Sequence, residues 1–351
     1  MENLAGMSSR PISRHRKGGI AFLTVCLVLL LGLAGAGLYM ISYALQPDGL
    51  SRSRDLDGSF HYMYDTYPGL QEWVDSLQDA GALGDLYLTD EKGEPMHALY
   101  VAAARPTRRT AVIVHGYTDN AIRMLHIGRL YHRDLGFNIL LPDLHGHGLS
   151  GGEEIQMGWL DRLDVLRWTE QADELFGHLN DTLWVDGTPR VCSTGTEMVV
   201  HGISMGAATT MMVAGEVEYG VHQQPFIKCF VEDCGYTSVW DEFQGELKAQ
   251  FGLPAFPLLH VTDWLCRLKC GWGFRQASAL RQVQKCHLPM LFIHGEADDF
   301  VPTWMVHPLY EAHAGEKELW LVPGVDHAHS YRDYPDEYTR RVKNFVGKYI
   351  D

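Results

Sequence analysis

The pattern of apolar and polar positions divides the chain into one long apolar run and a following series of short ones. Residues 20–45 contain no charged side chain, and a polar stretch follows over residues 46–59. Beyond it, short apolar runs of strand type alternate with stretches of helical periodicity. The strand-type runs cover residues 84–90, 97–103, 110–115, 137–143, 198–201, 226–233, 288–294 and 318–322. Apolar strands separated by helices predict an α/β fold with a mostly parallel sheet covered by helices on both faces.

The long apolar run is long enough to cross a bilayer as a helix. Residues 1–19 before it carry four basic side chains and one acidic one, so we expect them to stay in the cytoplasm. Two alternatives are a buried core helix, which is rarely apolar on all faces for so long, and a secretory signal cleaved near Ala34–Ala36. Because the apolar run continues past that point to Ile41, we predict an uncleaved, single-pass signal-anchor, with secretion after cleavage as the alternative.

These boundaries predict a cytoplasmic tail at residues 1–19, a transmembrane helix at 20–45, a linker at 46–59 and one extracytoplasmic domain at 60–351. The length of that last segment suits one large α/β domain or two small ones, and we predict one. The net charge of the whole chain is −15, which argues against nucleic-acid binding because that function needs a basic face.

Six cysteines lie beyond the predicted span. An even number on an exported domain permits disulfides without requiring them, because a free buried cysteine behaves as a small apolar side chain. Their spacing fits no zinc site, and the sequence does not indicate how they would pair. These residues are Cys192, Cys229, Cys234, Cys266, Cys270 and Cys286.

Residues 237–286 interrupt the alternation of strands and helices. This stretch of about fifty residues between two strands is rich in aromatic side chains and holds two prolines. So long an insertion is usually a lid or a binding element. We therefore predict a helical cap whose inner face lines a pocket, with Trp240 and Phe251 as examples of pocket-facing residues.

A sharp turn at residues 202–206 reads Gly-Ile-Ser-Met-Gly, between the apolar run at 198–201 and a helical stretch that begins at Ala207. A serine on so tight a turn needs glycine neighbours, and its hydroxyl is lifted clear of the sheet. The structural alternative is a strand-to-helix turn whose serine only caps the helix. The motif predicts that Ser204 is a nucleophile, with the N–H of Met205 facing the position of a developing oxyanion.

An activated serine needs a base and an acid that orients the base. Asp298 and its neighbour Asp299 follow the strand-type run at 288–294, and His327 and His329 follow the run at 318–322. The order serine, acid, histidine is the one in which such a triad occurs along chains of this architecture. Three other histidines, His115, His201 and His294, end strands, and we interpret them as structural or pocket-lining.

Taken together, these motifs resemble those of the α/β-hydrolase fold serine hydrolases. Residues 115–118, which read His-Gly-Tyr-Thr, resemble the oxyanion turn of that family. Residues 143–152 resemble its D-x-R-G-H-G-x-S-x-G loop, with His145 in place of the usual arginine. Residues 294–302 match H-G-x-x-D-x-x-V-P, and residues 324–327 match the histidine turn. The likeness covers about residues 84–350 and is strongest to membrane-anchored bacterial hydrolases of poorly defined substrate.

The resemblance implies a mostly parallel eight-stranded sheet flanked by helices, with the cap inserted after the sixth strand. It implies Ser204 as nucleophile, His327 as base and Asp298 as orienting acid, because the motif spacing selects Asp298 over Asp299 and His327 over His329. The backbone N–H groups of Tyr117 and Met205 would form the oxyanion hole.

The activity that this resemblance implies is hydrolysis of a carboxylic ester, a thioester or an acylated lipid through an acyl-enzyme, with no cofactor and no metal. A peptidase or amidase, or an acyltransferase, would use the same triad. A non-catalytic binding module is the remaining alternative, although such proteins usually lack members of the triad. We expect a small acyl ester and the membrane, through residues 20–45, as the partners of the protein.

Overall fold

An eight-stranded sheet forms the centre of the molecule. The computed structural model describes residues 14–46, 51, 53–90, 92–179, 182–185, 188–191, 195–219 and 224–351. The strands are β1 (Gly84–Thr89), β2 (Pro95–Val101), β3 (Arg109–Val114), β4 (Asn138–Pro142), β5 (Thr182–Val185), β6 (Thr188–Val191), β7 (Glu197–Ile203), β8 (Ile227–Asp233), β9 (Met290–Gly295) and β10 (Lys317–Val322). The pair β5 and β6 forms a separate two-stranded sheet.

The helices cover both faces of this sheet and build the insertion. They are α1 (Arg14–Leu45), α2 (Leu56–Thr66), α3 (Leu70–Asp79), α4 (Leu125–Arg129), α5 (Asp161–Leu179), α6 (Met205–Tyr219), α7 (Val239–Phe251), α8 (Leu258–Cys270), α9 (Ala279–Val283), α10 (Val306–Ala312), α11 (Ser330–Asp333) and α12 (Pro335–Val346). A 3₁₀ turn (Ala121–Met124) precedes α4, a π turn (Leu130–Asp134) follows it, and a second 3₁₀ turn (Thr303–Met305) precedes α10.

The strand order of the large sheet is β1-β2-β4-β3-β7-β8-β9-β10. The pairs β1–β2 and β2–β4 are antiparallel, and the pairs from β4 to β10 are parallel. The carboxyl ends of β3, β7, β8, β9 and β10 therefore meet at one edge, where ligands bind in open α/β sheets. The predicted mostly parallel, eight-stranded α/β-hydrolase sheet is confirmed, and α7 to α9 follow β8, its sixth strand.

Two apolar cores lie on the two faces of the sheet. Along β3, Val112 and Val114 point into one core, whereas Ala111 and Ile113 point into the other. Because successive side chains of a strand alternate between faces, an all-apolar strand is buried on both sides. All five of the β3 residues from Thr110 to Val114 are buried. This double burial holds the carboxyl end of the strand, and the loop after it, in a fixed position.

Helix α1 contains the long apolar run and also takes part in the core of the domain. Residues Ala21–Leu45 are long and apolar enough to cross a membrane, and little of that helix is buried. Its last turns are the exception, because Ile41 and Leu45 have no exposed surface. At Gly37 the helix crosses α8 so closely that a Cβ there would lie 2.9 Å from Leu265 Cδ1.

The carboxyl end of α1 is also capped by the domain. The last carbonyl groups of a helix lack partners within the helix. The Tyr117 hydroxyl donates to the Ala44 carbonyl at 2.8 Å, and the Ile155 N–H donates to the Leu45 carbonyl at 2.7 Å. The predicted linker at residues 46–59 stays a prediction. These contacts show that α1, before the linker, packs directly on the domain that follows it.

We expect Ile41→Ala and Leu45→Ala each to lower the free energy of unfolding by about 2–5 kcal/mol, because each leaves a cavity in a packed core. The control is Leu38→Ala in the same helix, where 48% of the side chain is exposed. That change should cost less than about 0.5 kcal/mol. Melting curves of the full chain in detergent would measure the difference, and equal melting temperatures for the three variants would contradict the docking of α1.

Candidate active site

Ser204 lies at the tip of the turn between β7 and α6. Its φ of 59° is in the left-handed region, which a residue with a side chain occupies only where its surroundings impose it. A Cβ at Gly206 would overlap the carbonyl oxygen of Val114, and one at Gly202 would overlap the carbonyl oxygen of Gly206. Gly206 thus allows the turn to approach β3 closely, and Gly202 allows the end of β7 to approach the first turn of α6. The Ser204 N–H donates to the Asp233 carbonyl at 2.8 Å, which fixes the turn to β8.

Ser204, His327 and Asp298 form one chain of hydrogen bonds. The Ser204 Oγ lies 2.8 Å from His327 Nε2, and His327 Nδ1 lies 2.7 Å from Asp298 Oδ2. Because the carboxylate can only accept, Nδ1 carries the proton and Nε2 is free to accept the serine proton. The Asp298 side chain is fully buried, whereas 17% of the His327 side chain is exposed. The structure thus brings the three predicted residues together at the sheet edge.

The predicted oxyanion turn lies directly beside Ser204. A Cβ at Gly116 would be 3.4 Å from Ser204 Cβ. Met205 is the first residue of α6, and the first N–H groups of a helix have no partner within the helix. The N–H of Thr118 donates to His147 Nε2 at 3.3 Å, which holds the residue after Tyr117. The arrangement can therefore present backbone donors to an oxyanion formed at Ser204.

Residues 150–329 match the serine hydrolase family FSH1. This match covers half of the chain and includes Ser204, Asp298 and His327. The chain belongs to the FSH1 serine hydrolase family. Among curated proteins it is similar to the uncharacterised protein YqkD of Bacillus subtilis, with 29% identity over 252 residues. The aligned residues cover 72% of this chain and 75% of YqkD.

Similarity to solved structures places this chain in the α/β-hydrolase fold. The esterase Pf2001 of Pyrococcus furiosus has a TM-score of 0.58 and 19% identity, covering 78% of this chain and 96% of its own. Est1E of Butyrivibrio proteoclasticus, in its complex with ferulic acid, has a TM-score of 0.53 and 18% identity, covering 75% and 98%. The FSH1 membership and this fold make the protein an α/β-hydrolase enzyme.

Asp298, the acid of the hydrogen-bond chain, is held from several sides. The N–H groups of Phe300 and Val301 donate to Asp298 Oδ1 at 3.1 and 2.9 Å, and His294 Nε2 lies 3.4 Å from Oδ2. Burial raises the pKa of Asp298, but hydrogen bonds from His294 and His327 outweigh it and leave this pKa below its ordinary value. Asp299 is exposed. The acid beside the histidine is therefore the one that the motif spacing selects.

The other candidate histidines have partners or positions away from Ser204. His201 lies on β7, with Nδ1 3.1 Å from the Tyr131 hydroxyl and Nε2 2.9 Å from the Tyr338 hydroxyl. Burial lowers its pKa to about 3, so it stays neutral. His115 Nε2 accepts from the Leu144 N–H at 2.9 Å, and its Nδ1 donates to the Gly116 carbonyl at 2.8 Å. These contacts support the turns around the site.

Two groups of potential metal ligands occur among the described residues. One comprises Cys234, Asp298 and His327, with ligand atoms within 4.8 Å of one another. Asp298 and His327 are already hydrogen-bonded to each other, and burial, followed by the charge of Asp233, raises the pKa of the Cys234 thiol. A protonated thiol is a poor metal ligand. The other group, Asp90, Glu94 and His145, is partly exposed and lies on the β1–β2 connection and the loop after β4.

A cavity of about 530 Å³ adjoins Ser204 and Met205. Its wall is mostly apolar, and α7 and α8 of the cap contribute Phe243, Phe251 and Leu259. The prediction that the cap lines a pocket therefore agrees with the structure for Phe251. Trp240 does not line this cavity, because its ring lies under the Arg275 guanidinium, 3.4 Å from the ring centroid.

Sequence reasoning missed the contribution of α1 to this cavity. Tyr39, Met40 and Tyr43, from the last two turns of the helix, line it together with Tyr117. The available signal was the aromatic pair at the end of an otherwise aliphatic run, at a spacing that places both rings on one face of a helix. The ring centroids of Tyr39 and Tyr43 are 6.2 Å apart.

Two buried carboxyl groups lie beneath the site on β8. Burial raises the pKa of Glu232 to about 8, against the opposing influence of His294, and raises the pKa of Asp233 to about 6. Because the folded-state pKa of Glu232 exceeds its ordinary value of 4.5, the folded chain binds a proton that the unfolded chain releases. The resulting stability is present in acid and is lost as the pH rises from about 4.5 to about 8.

We expect Glu232→Gln to melt at a higher temperature than the parent at pH 8, with the difference shrinking toward pH 5. Glutamine keeps the acceptor for the Gly235 N–H, which lies 3.0 Å from Oε2, and removes the group that ionises. The matched control is Glu296→Gln at an exposed position, where the difference should not depend on pH. A difference for Glu232→Gln that is constant from pH 5 to 8 would contradict the raised pKa.

Proposed function

We propose that the protein is a serine esterase in which Ser204 is the nucleophile, His327 the general base and Asp298 the acid that orients the base. The observation that carries this proposal is the pair of hydrogen bonds at 2.8 and 2.7 Å that links the three side chains. The buried Asp298 keeps the proton on Nδ1 of His327 and stabilises the imidazolium that forms during the reaction.

The reaction follows from these positions. His327 Nε2 takes the proton of Ser204 Oγ as the oxygen attacks the ester carbonyl. The oxyanion of the tetrahedral intermediate accepts hydrogen bonds from the backbone N–H groups of Tyr117 and Met205. When the intermediate collapses, the C–O bond to the alcohol breaks, and the imidazolium gives its proton to the leaving alkoxide. Water, deprotonated by His327, then attacks the acyl-enzyme and releases the acid and Ser204.

The cavity supports an ester with an apolar acyl group as the substrate. Its lining includes the aromatic rings of Tyr43, Phe251 and Phe274. Burial, followed by the charge of Glu246, raises the pKa of Glu242, which also lines the cavity, and so favours the uncharged form of its carboxyl group. A wall of this kind disfavours a charged group. Pf2001 and Est1E, the structural relatives, are consistent with an ester.

We propose further that α1 is the signal-anchor that the sequence predicts. Residues 20–45 would cross the membrane with the basic segment 1–19 in the cytoplasm and the hydrolase domain outside. The length and composition of Ala21–Leu45 support this placement.

We expect Ser204→Ala and His327→Ala each to lower kcat by about 10³-fold or more, and the double variant to lose little beyond that, because the residues act as a unit. Asp298→Asn should lose a comparable factor, since it leaves His327 in the wrong tautomer. The matched controls are His329→Ala and Asp299→Asn, which change the neighbouring histidine and acid. Hydrolysis of a short acyl ester and labelling by a fluorophosphonate would measure the effects.

An active His327→Ala with an inactive His329→Ala would show that the base is misassigned. A parent chain that neither hydrolyses short esters nor reacts with the fluorophosphonate would contradict the proposed function as a whole.

We expect kcat/KM for methylumbelliferyl esters of short and medium acyl chains to exceed that for the corresponding arylamides.

Phe251→Ala should change the preference among acyl lengths, because its ring lines the cavity, with each methylene worth about 1–3 kcal/mol at most. Trp240→Ala should instead lower the melting temperature and leave that preference unchanged, because the ring packs on Arg275. Equal acyl preferences in the parent and in Phe251→Ala would contradict this view of the cavity.

A further inference from the structure

The end of α1 forms one wall of the cavity beside Ser204. Tyr39, Met40 and Tyr43 line this wall, and the ring of Tyr43 meets the ring of Phe251 edge-on at 5.6 Å between centroids. The Tyr43 hydroxyl also donates to Gln250 Oε1 at 2.7 Å. The same helix that is apolar enough to cross a membrane therefore contacts the cap at the edge of the cavity.

The length of α1 determines where a bilayer would lie relative to that wall. A helix needs about 20 residues to cross a hydrocarbon core of about 30 Å. Counted from Ile20, this length ends near Tyr39, although the helix is already buried against α8 at Gly37. Residues 20–32, which project from the domain, rise only about 20 Å at 1.5 Å per residue. The bilayer must therefore reach along the part of α1 that is packed on the cap.

The surface of the cap beside α1 presents large apolar side chains where it faces away from the domain. Helix α8 contacts α1 through Val261, Thr262 and Leu265. Its outward side presents Trp264, which is 59% exposed, and Leu268, which is 65% exposed. Large apolar side chains with this much exposure are costly in water, and tryptophan is enriched where proteins meet the membrane–water interface.

Further exposed apolar side chains extend this surface from the α7–α8 connection to the cavity. Phe256 is 72% exposed, and Leu253 and Phe251 are also exposed. Phe251 belongs both to this surface and to the lining of the cavity. Exposed apolar side chains thus occur on α8, on the α7–α8 connection and, through Phe251 and Tyr43, at the wall of the cavity that contains Ser204. Because these side chains lie beside the apolar helix α1, which packs on α8 at Gly37, lipid is the occupant that their position favours.

We propose that the cap rests in the outer interface of the membrane that α1 crosses, and that the cavity takes the acyl chain of a membrane-embedded lipid ester directly from that leaflet. The chain enters between the end of α1 and α7, past Tyr39, Tyr43 and Phe251, and the ester carbonyl reaches Ser204. This inference rests on the proposed function, because it names the substrate class of the same site.

The test compares two esters with one leaving group, methylumbelliferyl oleate and methylumbelliferyl acetate, using the full chain reconstituted in phosphatidylcholine vesicles. The oleate ester resides in the bilayer, whereas the acetate ester reaches the site from water. Trp264→Asp and Leu268→Asp change exposed residues outside the cavity lining. A carboxylate there must remain at the headgroup level. We expect each variant to lower kcat/KM for the oleate ester by about tenfold and to leave that for the acetate ester unchanged.

The matched control is Leu163→Asp, which changes an exposed leucine on α5, a helix that covers β3, β4 and α6. It should leave both rates as in the parent. Unchanged oleate hydrolysis in Trp264→Asp and Leu268→Asp would overturn the inference, as would an equal loss on both esters or a parent that cleaves the acetate ester alone. A parent that cleaves neither ester would instead overturn the proposed function.

Discussion

The left-handed backbone of Ser204 is the constraint on which the rest of the site depends. A residue with a side chain adopts this conformation at a cost of about 1–3 kcal/mol, and only where its surroundings impose it. Here the Gly206 backbone packs on the carbonyl groups that end β3, and the Ser204 N–H is bound by the carbonyl of Asp233 on β8. The turn is therefore set by the two strands beside β7, and the parallel register then brings the loops after β9 and β10 to the same place.

The polar groups around this turn are arranged so that few charges are buried without a partner. His115 and His147 both have lowered pKa values because of burial, and each accepts a backbone N–H through Nε2. Neutral rings can accept in this way, whereas imidazolium ions cannot. The charge of Asp298 is matched by backbone donors and two histidines. Charge is thus concentrated at the hydrogen-bond chain, where the proposed reaction uses it.

The positions of Ser204, Asp298 and His327 could be predicted from the sequence because each follows a buried strand, and parallel strands end at one edge. Short motifs of this kind can be recognised in a sequence before the packing of the chain is known. The contribution of α1 could not be predicted in the same way. Gly37, Ile41 and Leu45 are buried on one face of α1, and Leu33 on the same face is partly buried. In a helix that is apolar on all sides, no polar positions mark which face is covered. Trp240 shows the same limit, since aromatic character does not indicate whether a ring meets a cavity or a guanidinium.

The docking of α1 has a consequence for how a membrane-anchored hydrolase would work. A domain attached by a polar linker alone would sample many orientations relative to the bilayer. In this protein the end of the helix is packed in the core at Ile41 and Leu45, and its last carbonyl groups accept from Tyr117 and Ile155. If α1 crosses the membrane as proposed, the orientation of the cavity is fixed by the helix itself. Tyr117 then joins the two functions physically, because its backbone belongs to the predicted oxyanion turn and its hydroxyl caps the proposed anchor.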